Sequence, residues 1–123
     1  MQPQPFELRI VEGANATLIT LAGELDLDSV PQLEQAFEMV RRRGTRHVTV
    51  DLGRLTFLDS TGVRAFLEAD LASRNGEAEI AFIAGPRNVM KVLRLTAVEE
   101  RLNWVGAEGL DTNIDHGREE FAS

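Results

Sequence analysis

The chain has 123 residues, a length that fits one domain with its own core and leaves little room for a second. It contains no cysteine, which excludes a disulfide framework, a thiolate metal site and a cysteine nucleophile. Its 20 acidic residues exceed the 13 lysines and arginines, and the resulting net charge of -7 repels phosphate backbones. We therefore expect no direct binding to nucleic acid.

The two ends of the chain differ in character from its middle. The first residues, MQPQPFELRI, lack the basic-then-apolar order of a secretory signal, and residues 1–5 are predicted to be a short extension. Residues 111–123 are acidic with little periodicity, so we expect a flexible tail there. No apolar run approaches the roughly 20 residues of a membrane span. A cytoplasmic domain over residues 6–106, without membrane insertion, is the prediction.

The first half of this region changes from strand to helix periodicity. Alternating apolar residues from Phe6 to Ile10 indicate one strand, and the segment ATLITLAG indicates a second strand after a turn. The spacing then predicts a helix over 29–43. Ser29 and Gln32 have the spacing of a capping box, and Gly44 can end the helix.

The second half repeats the alternation of strand and helix. HVTVDL and AEIAFIA are predicted strands, and a helix is predicted between them over 61–75. Its expected apolar face consists of Val63, Phe66, Leu67 and Leu71. Pro86 is expected to open a third helix, and LNWV is predicted to form a short last strand. The order indicates an α/β domain, a mixed β-sheet with helices packed on it.

Two adjacent hydroxyl side chains follow the third strand. Ser60 and Thr61 stand between Asp59 and Gly62, where a helix is expected to begin. Aspartate, serine and threonine are all preferred helix caps, so a purely structural role is open. A hydroxyl at a helix N-terminus is also a place where an added phosphate is tolerated, and Gly62 could let a partner approach the backbone. Both interpretations stay open on this stretch alone.

Catalytic and metal chemistry find less support. A nucleophile elbow around Ser60 would need a glycine where Leu58 stands, and its histidine would be His47 or His116. Asp26 and Asp28 lack the glycine and the distal glutamate of a calcium loop, so acids at a helix entry are the simpler interpretation. No metal and no cofactor are expected.

Three stretches together resemble a known family. GELD at 23–26, LDSTG at 58–62 and IAGPRNVMKVLRLTAV are similar to the STAS domain, specifically to anti-sigma-factor antagonists, over most of residues 6–106. The resemblance implies that Ser60 is at once the phosphorylation site and the helix cap, and that Thr61 caps the helix when Ser60 carries phosphate. The implied partner-binding residues are Asp26, Asp59, Ser60, Thr61, Gly62, Val63 and Arg64. One departure is Ala97, where the family usually carries a glycine.

The same resemblance implies a regulator of transcription that is not an enzyme. Its unphosphorylated form would bind an anti-sigma factor, itself a serine kinase with its own ATP and magnesium, and so free a sigma factor in a stress response or in sporulation. Phosphorylation at Ser60 would end the complex, and a PP2C-type serine phosphatase would reset it. The alternatives are a STAS scaffold or accessory subunit of a sensory complex or a lipid-transport ATPase. A small serine hydrolase, sensitive to His47→Ala, is more remote.

Overall fold

A computed structural model describes residues 5–107 and 121–122 of the chain. Within these residues, one five-stranded mixed sheet carries three helices, which confirms the expected α/β architecture. The strands are β1 Glu7–Glu12, β2 Ala16–Leu25, β3 His47–Leu58, β4 Glu79–Ile83 and β5 Phe121–Ala122; the helices are α1 Val30–Arg43, α2 Ser60–Arg74 and α3 Arg87–Leu95, followed by a 3-10 turn, Glu99–Arg101.

The strand order β4-β3-β2-β1-β5 brings the functional loops together. Strands β2, β3 and β4 are parallel, whereas β1 is antiparallel to both of its neighbours. Because parallel strands end at the same edge of a sheet, the loops that lead into α1, α2 and α3 all lie at that carboxyl edge. Each helix therefore begins next to the end of its own strand.

The core lies between the sheet and the helices. Ile19, Val50 and Phe82 are paired neighbours on β2, β3 and β4, and all three are fully buried. Phe66 of α2 meets Phe82 edge-on, with ring centroids 5.2 Å apart. Leu33 of α1 is also fully buried. Burying a large apolar side chain contributes about 1.5–3 kcal/mol, so this layer holds α1 and α2 on the sheet.

Helix α1 starts one residue later than predicted, ends where predicted, and lacks the predicted side-chain cap. Ser29 is buried, and its hydroxyl donates to the Glu24 carbonyl at 2.8 Å instead of capping the helix. The expected capping box with Gln32 is therefore wrong, because the hydroxyl ties the helix entry back to the end of β2. Gly44 ends the helix in the left-handed conformation, at φ 71°, as predicted.

Helix α2 faces the core differently from the prediction. Val63 and Phe66 are buried and Leu67 packs half-buried against the core, but Leu71 is 51% exposed, so the predicted apolar face is wrong only at its last residue. The buried residues are Gly62, Val63, Ala65, Phe66, Ala69 and Asp70. Arg74 makes burial of the Asp70 carboxylate possible, since its Nε lies 2.8 Å from Asp70 Oδ2.

The last strand was also predicted in the wrong place. LNWV forms no strand, and Trp104 makes only an isolated parallel bridge with Phe82. In this bridge the Phe82 N–H donates to the Asn103 carbonyl at 2.7 Å, and the Val105 N–H donates to the Phe82 carbonyl at 2.9 Å. Of the predicted tail, residues 111–120 and 123 lie outside the described residues. The backbone of Phe121 and Ala122 pairs with β1 at the opposite edge of the sheet.

Helix α3 ends at a strained residue. Ala97 has φ 61°, and within residues 5–107 it is the only non-glycine residue with positive φ. Its N–H donates to the Arg94 carbonyl at 3.0 Å, and the Val98 N–H donates to the Leu93 carbonyl at 2.8 Å, a pattern that usually places glycine here. Ala97 therefore adopts the strained left-handed conformation that the family's usual glycine would adopt without strain.

Replacing that alanine by glycine is expected to stabilise the domain. Ala97→Gly removes the side chain that disfavours the left-handed conformation, and we expect the free energy of unfolding to rise by about 0.5–1 kcal/mol. Ala84→Gly, at an exposed loop residue without positive φ, is the control and should lower it. Urea denaturation of both variants measures the difference. An Ala97→Gly variant with a lower free energy of unfolding than the parent would contradict this account.

Candidate functional site

Asp59 caps α2. Its carboxylate oxygen Oδ1 accepts hydrogen bonds from the backbone N–H groups of Thr61 at 2.9 Å and Gly62 at 3.2 Å. The Thr61 hydroxyl donates to the same oxygen. Ser60 is therefore not the helix cap, because the aspartate before the two hydroxyls already satisfies the free N–H groups of the first turn. A capping role of Thr61 once Ser60 carries phosphate stays a prediction.

Ser60 is the first residue of α2 and is exposed. Among residues 5–107, no hydrogen bond involves its hydroxyl, so this group is not needed to hold the helix. The helix dipole places a positive field at the site and stabilises an added anion by about 0.3–1 kcal/mol. Chemically, the arrangement offers an accessible hydroxyl that can act as a nucleophile and accept a phosphoryl group, at a helix N-terminus that favours an anion.

Gly62 and Val63 lie beneath this surface. Both are buried, and a Cβ on Gly62 would lie 2.5 Å from Leu58 Cδ1 and 3.1 Å from the Leu25 side chain. The glycine therefore lets the first turn of α2 sit against the ends of β2 and β3, and it is not an approach point for a partner. Arg64, one position further on, is exposed.

The turn after β2 is the second part of the site. Asp26 Oδ1 accepts from the backbone N–H groups of Asp28 at 3.0 Å and Ser29 at 3.3 Å, which orders the turn. The Asp59 N–H donates to the Leu25 carbonyl at 3.3 Å, so Asp26 and Ser60 each lie one residue beyond this link. The structure thus brings the GELD and LDSTG stretches together at the carboxyl edge.

The glycine of the first stretch has a separate structural reason. Gly23 has φ 87°, and a Cβ there would collide with the Pro5 carbonyl. The pairing of β2 with β3 shifts register on both sides of this residue, as expected where the chain needs a left-handed glycine. Gly23 therefore shapes the end of β2, from which Asp26 follows.

Two exposed apolar side chains flank the site and were missed by the sequence reasoning. Leu27 is 70% exposed in the turn after β2, and Phe57 is 45% exposed near the end of β3, paired with Glu24. The available signal was a leucine between two aspartates in LDLDS, a loop where no core position is expected. Exposed large apolar residues at one edge are typical of a surface that binds another protein.

The geometry does not support the hydrolase alternative. His47 begins β3 whereas Ser60 follows its end, roughly 35 Å away at about 3.3 Å per residue. His47 Nδ1 lies instead 3.7 Å from Glu79 Oε1, and His116 is outside the described residues. Within residues 5–107, no group of three or more potential ligands could hold a metal ion. No helix in that range is long and apolar enough to cross a membrane.

Comparison with known families identifies the class. The family model described as "Mlab, STAS domain" matches residues 8–105, so the chain belongs to the STAS domain family. This confirms the family expected from the GELD and LDSTG stretches.

Individual relatives in this family are similar over most of their length. The chain is 26% identical to an anti-sigma-B factor antagonist of Staphylococcus aureus over 85 residues, 69% of this chain and 79% of that protein. A protein of the same name from Staphylococcus epidermidis is 25% identical over the same shares of both chains.

Solved structures show the same fold. An anti-sigma factor antagonist from Mycobacterium paratuberculosis has a TM-score of 0.73 at 19% identity, covering 84% of this chain and 87% of its own. SpoIIAA in its unphosphorylated form has a TM-score of 0.70 at 23% identity, covering 88% and 95%. The Bacillus cell fate determinant SpoIIAA in the phosphorylated form has a TM-score of 0.63 at 22% identity, covering 88% and 98%.

Proposed function

We propose that this protein is an anti-sigma-factor antagonist that switches partners through Ser60. The unphosphorylated form binds an anti-sigma factor that is also a serine kinase, and a sigma factor is thereby freed. The kinase, with its own ATP and magnesium, phosphorylates Ser60 and ends the complex. A PP2C-type serine phosphatase resets the protein, which acts as a binding module and not as an enzyme.

One observation carries the proposal: the Ser60 hydroxyl is exposed and free while Asp59 caps the helix. A structural hydroxyl would be engaged with the backbone, and a catalytic one would face a base. Among residues 5–107 this hydroxyl meets neither a backbone group nor a base, and it stands where a dianion is compatible with the fold. The names of the relatives point to the same function, since they are anti-sigma-factor antagonists.

Phosphorylation at the proposed position can be tested directly. The purified chain is incubated with candidate anti-sigma kinases, ATP and magnesium, and the modified residue is located by mass spectrometry. We expect one phosphate at Ser60 in the parent and in Thr61→Ala, and none in Ser60→Ala. Phosphate on Thr61 in the parent would contradict the assignment. Binding of an ATPase that neither phosphorylates Ser60 nor is affected by Ser60→Ala would favour the scaffold or accessory-subunit alternative.

The partner-binding surface is expected to include Leu27. Only a minority of interface residues, fewer than about 30%, cost more than about 1 kcal/mol when truncated, and these lie near the centre of the interface. Because Leu27 is 70% exposed in the same turn as Asp26, we expect it to be one of them, so Leu27→Ala should weaken binding of the anti-sigma factor about tenfold or more. Leu95→Ala is the matched control: Leu95 is 74% exposed, but it ends α3, which runs away from the carboxyl edge. Isothermal titration calorimetry measures both constants. Equal losses in the two variants would remove Leu27 from the surface.

A further inference from the structure

A groove runs between α1 and α2, on the side of α2 that faces away from Ser60. Ala69 lies nine residues after Ser60, a rotation of about 180° around a helix with 3.6 residues per turn. The groove has a volume of about 220 Å³, enough for one or two apolar side chains. It is therefore separate from the phosphorylation surface, although both use the same helix.

Small side chains create this groove. Ala65, Ala69 and Ala72 follow one another along α2 at helical spacing, opposite the half-buried Phe37 of α1. Alanines do not fill the space between two packed helices as leucines would. The floor is completed by Val40, Val48 and Ile80, so it is apolar throughout.

The rim of the groove is acidic. Four carboxylates surround the apolar floor: Glu34 and Glu38 of α1, Glu68 of α2, and Glu77 after α2. The rim also includes one cation, the guanidinium of Arg41. The hydrogen bond from Arg41, with Arg42 behind it, lowers the pKa of Glu38, so Glu38 and Arg41 largely satisfy each other. Within residues 5–107, Glu34 and Glu68 are in no salt bridge. The rim thus carries net negative charge.

We propose that this groove binds a partner protein through a segment in which one apolar side chain is flanked by lysines or arginines. The apolar residue occupies the space over the alanines, and the cations meet Glu34 and Glu68. Charge complementarity selects this occupant, because the chain has a net charge of -7 and repels both a second copy of itself and an anionic membrane. The site goes beyond the proposed switch, since it lies on the opposite side of α2.

A defined peptide tests the groove without knowledge of the partner. The probe is a twelve-residue peptide with a central leucine between two pairs of lysines, and the same peptide with serine for leucine is its control. In ¹⁵N NMR titrations of the full chain, we expect shifts at Phe37, Ala69 and Ala72 and none at Ser60. The serine peptide should bind at least tenfold more weakly. Equal binding of both peptides, or shifts centred elsewhere, would overturn the proposal.

Four variants distinguish binding in the groove from a general charge effect and from the switch at Ser60. Glu68→Lys should weaken peptide binding about tenfold or more, whereas Glu100→Lys, the same change at an exposed site outside the groove, should change it less than threefold. Ala72→Leu should fill the groove and abolish binding at an unchanged melting temperature. Ser60→Glu should bind the peptide as tightly as the parent does, whether or not it still binds the anti-sigma factor. Equal effects of Glu68→Lys and Glu100→Lys, or self-association that the peptide does not reverse, would overturn it.

Discussion

Ser60→Glu is expected to weaken binding of the cognate anti-sigma factor by a factor of hundreds or more while melting close to the parent. Phosphate adds roughly 1.5–2 negative charges at pH 7, and glutamate mimics part of this. Within the free domain, the helix dipole offsets repulsion from the Asp59 carboxylate, so the fold changes little. At an interface, burying an anion without a matched cation costs several kcal/mol. Such a cost corresponds to the expected loss of affinity.

Two measurements on each variant decide between this mechanism and its alternatives: the binding constant and the melting temperature. Ser60→Ala should bind like the parent and resist release by ATP. Thr61→Ala should lose about 1 kcal/mol of stability, because the hydroxyl bond to Asp59 is gone, and should still bind. A Ser60→Glu variant that binds as tightly as the parent would show that the switch is wrong. One that binds weakly because it is unfolded would leave the switch intact and refute the electrostatic mechanism.

Gly62→Val is expected to lower the free energy of unfolding by about 2–3 kcal/mol, more than any other substitution proposed here. The added side chain would meet Leu58 and Leu25 at distances of 2.5 and 3.1 Å from its Cβ alone, and overpacking of this kind costs about 1–3 kcal/mol. For a domain of this size, the melting temperature should fall by on the order of 10 °C. Because Gly62 seats the first turn of α2, phosphorylation of Ser60 should also become slower.

Gly53→Val provides the matched control for this effect. Gly53 is exposed in β3 without positive φ, and a Cβ there meets only the Asp51 carboxylate at 3.1 Å. Valine is favoured in strands, so the melting temperature should change by a few degrees at most. If both valine variants melt like the parent, the packing of α2 against the ends of β2 and β3 does not constrain position 62.

Local rules of sequence predicted most of the fold. The change from alternating to helical periodicity located strands β1 to β4 and helices α1 to α3, because this periodicity follows from backbone geometry. It failed for Leu71, since alanines on the other side of α2 and Asp70, paired with Arg74, are buried in its place. It also failed for LNWV, where Trp104 keeps only a single bridge to Phe82.

The sequence by itself determined that a hydroxyl pair stands at a helix N-terminus between an aspartate and a glycine. Only the tertiary structure decided which hydroxyl is free, because that depends on where the Asp59 carboxylate points once Gly62 is seated on Leu58. The parallel pairing of β2 with β3 brought Leu27 and Phe57 to the same edge as Ser60, although about thirty positions separate the two segments. The groove between α1 and α2 likewise arises from packing. Periodicity shows which residues share one face of a helix, but the distance between two packed helices depends on the side chains that meet in the folded structure.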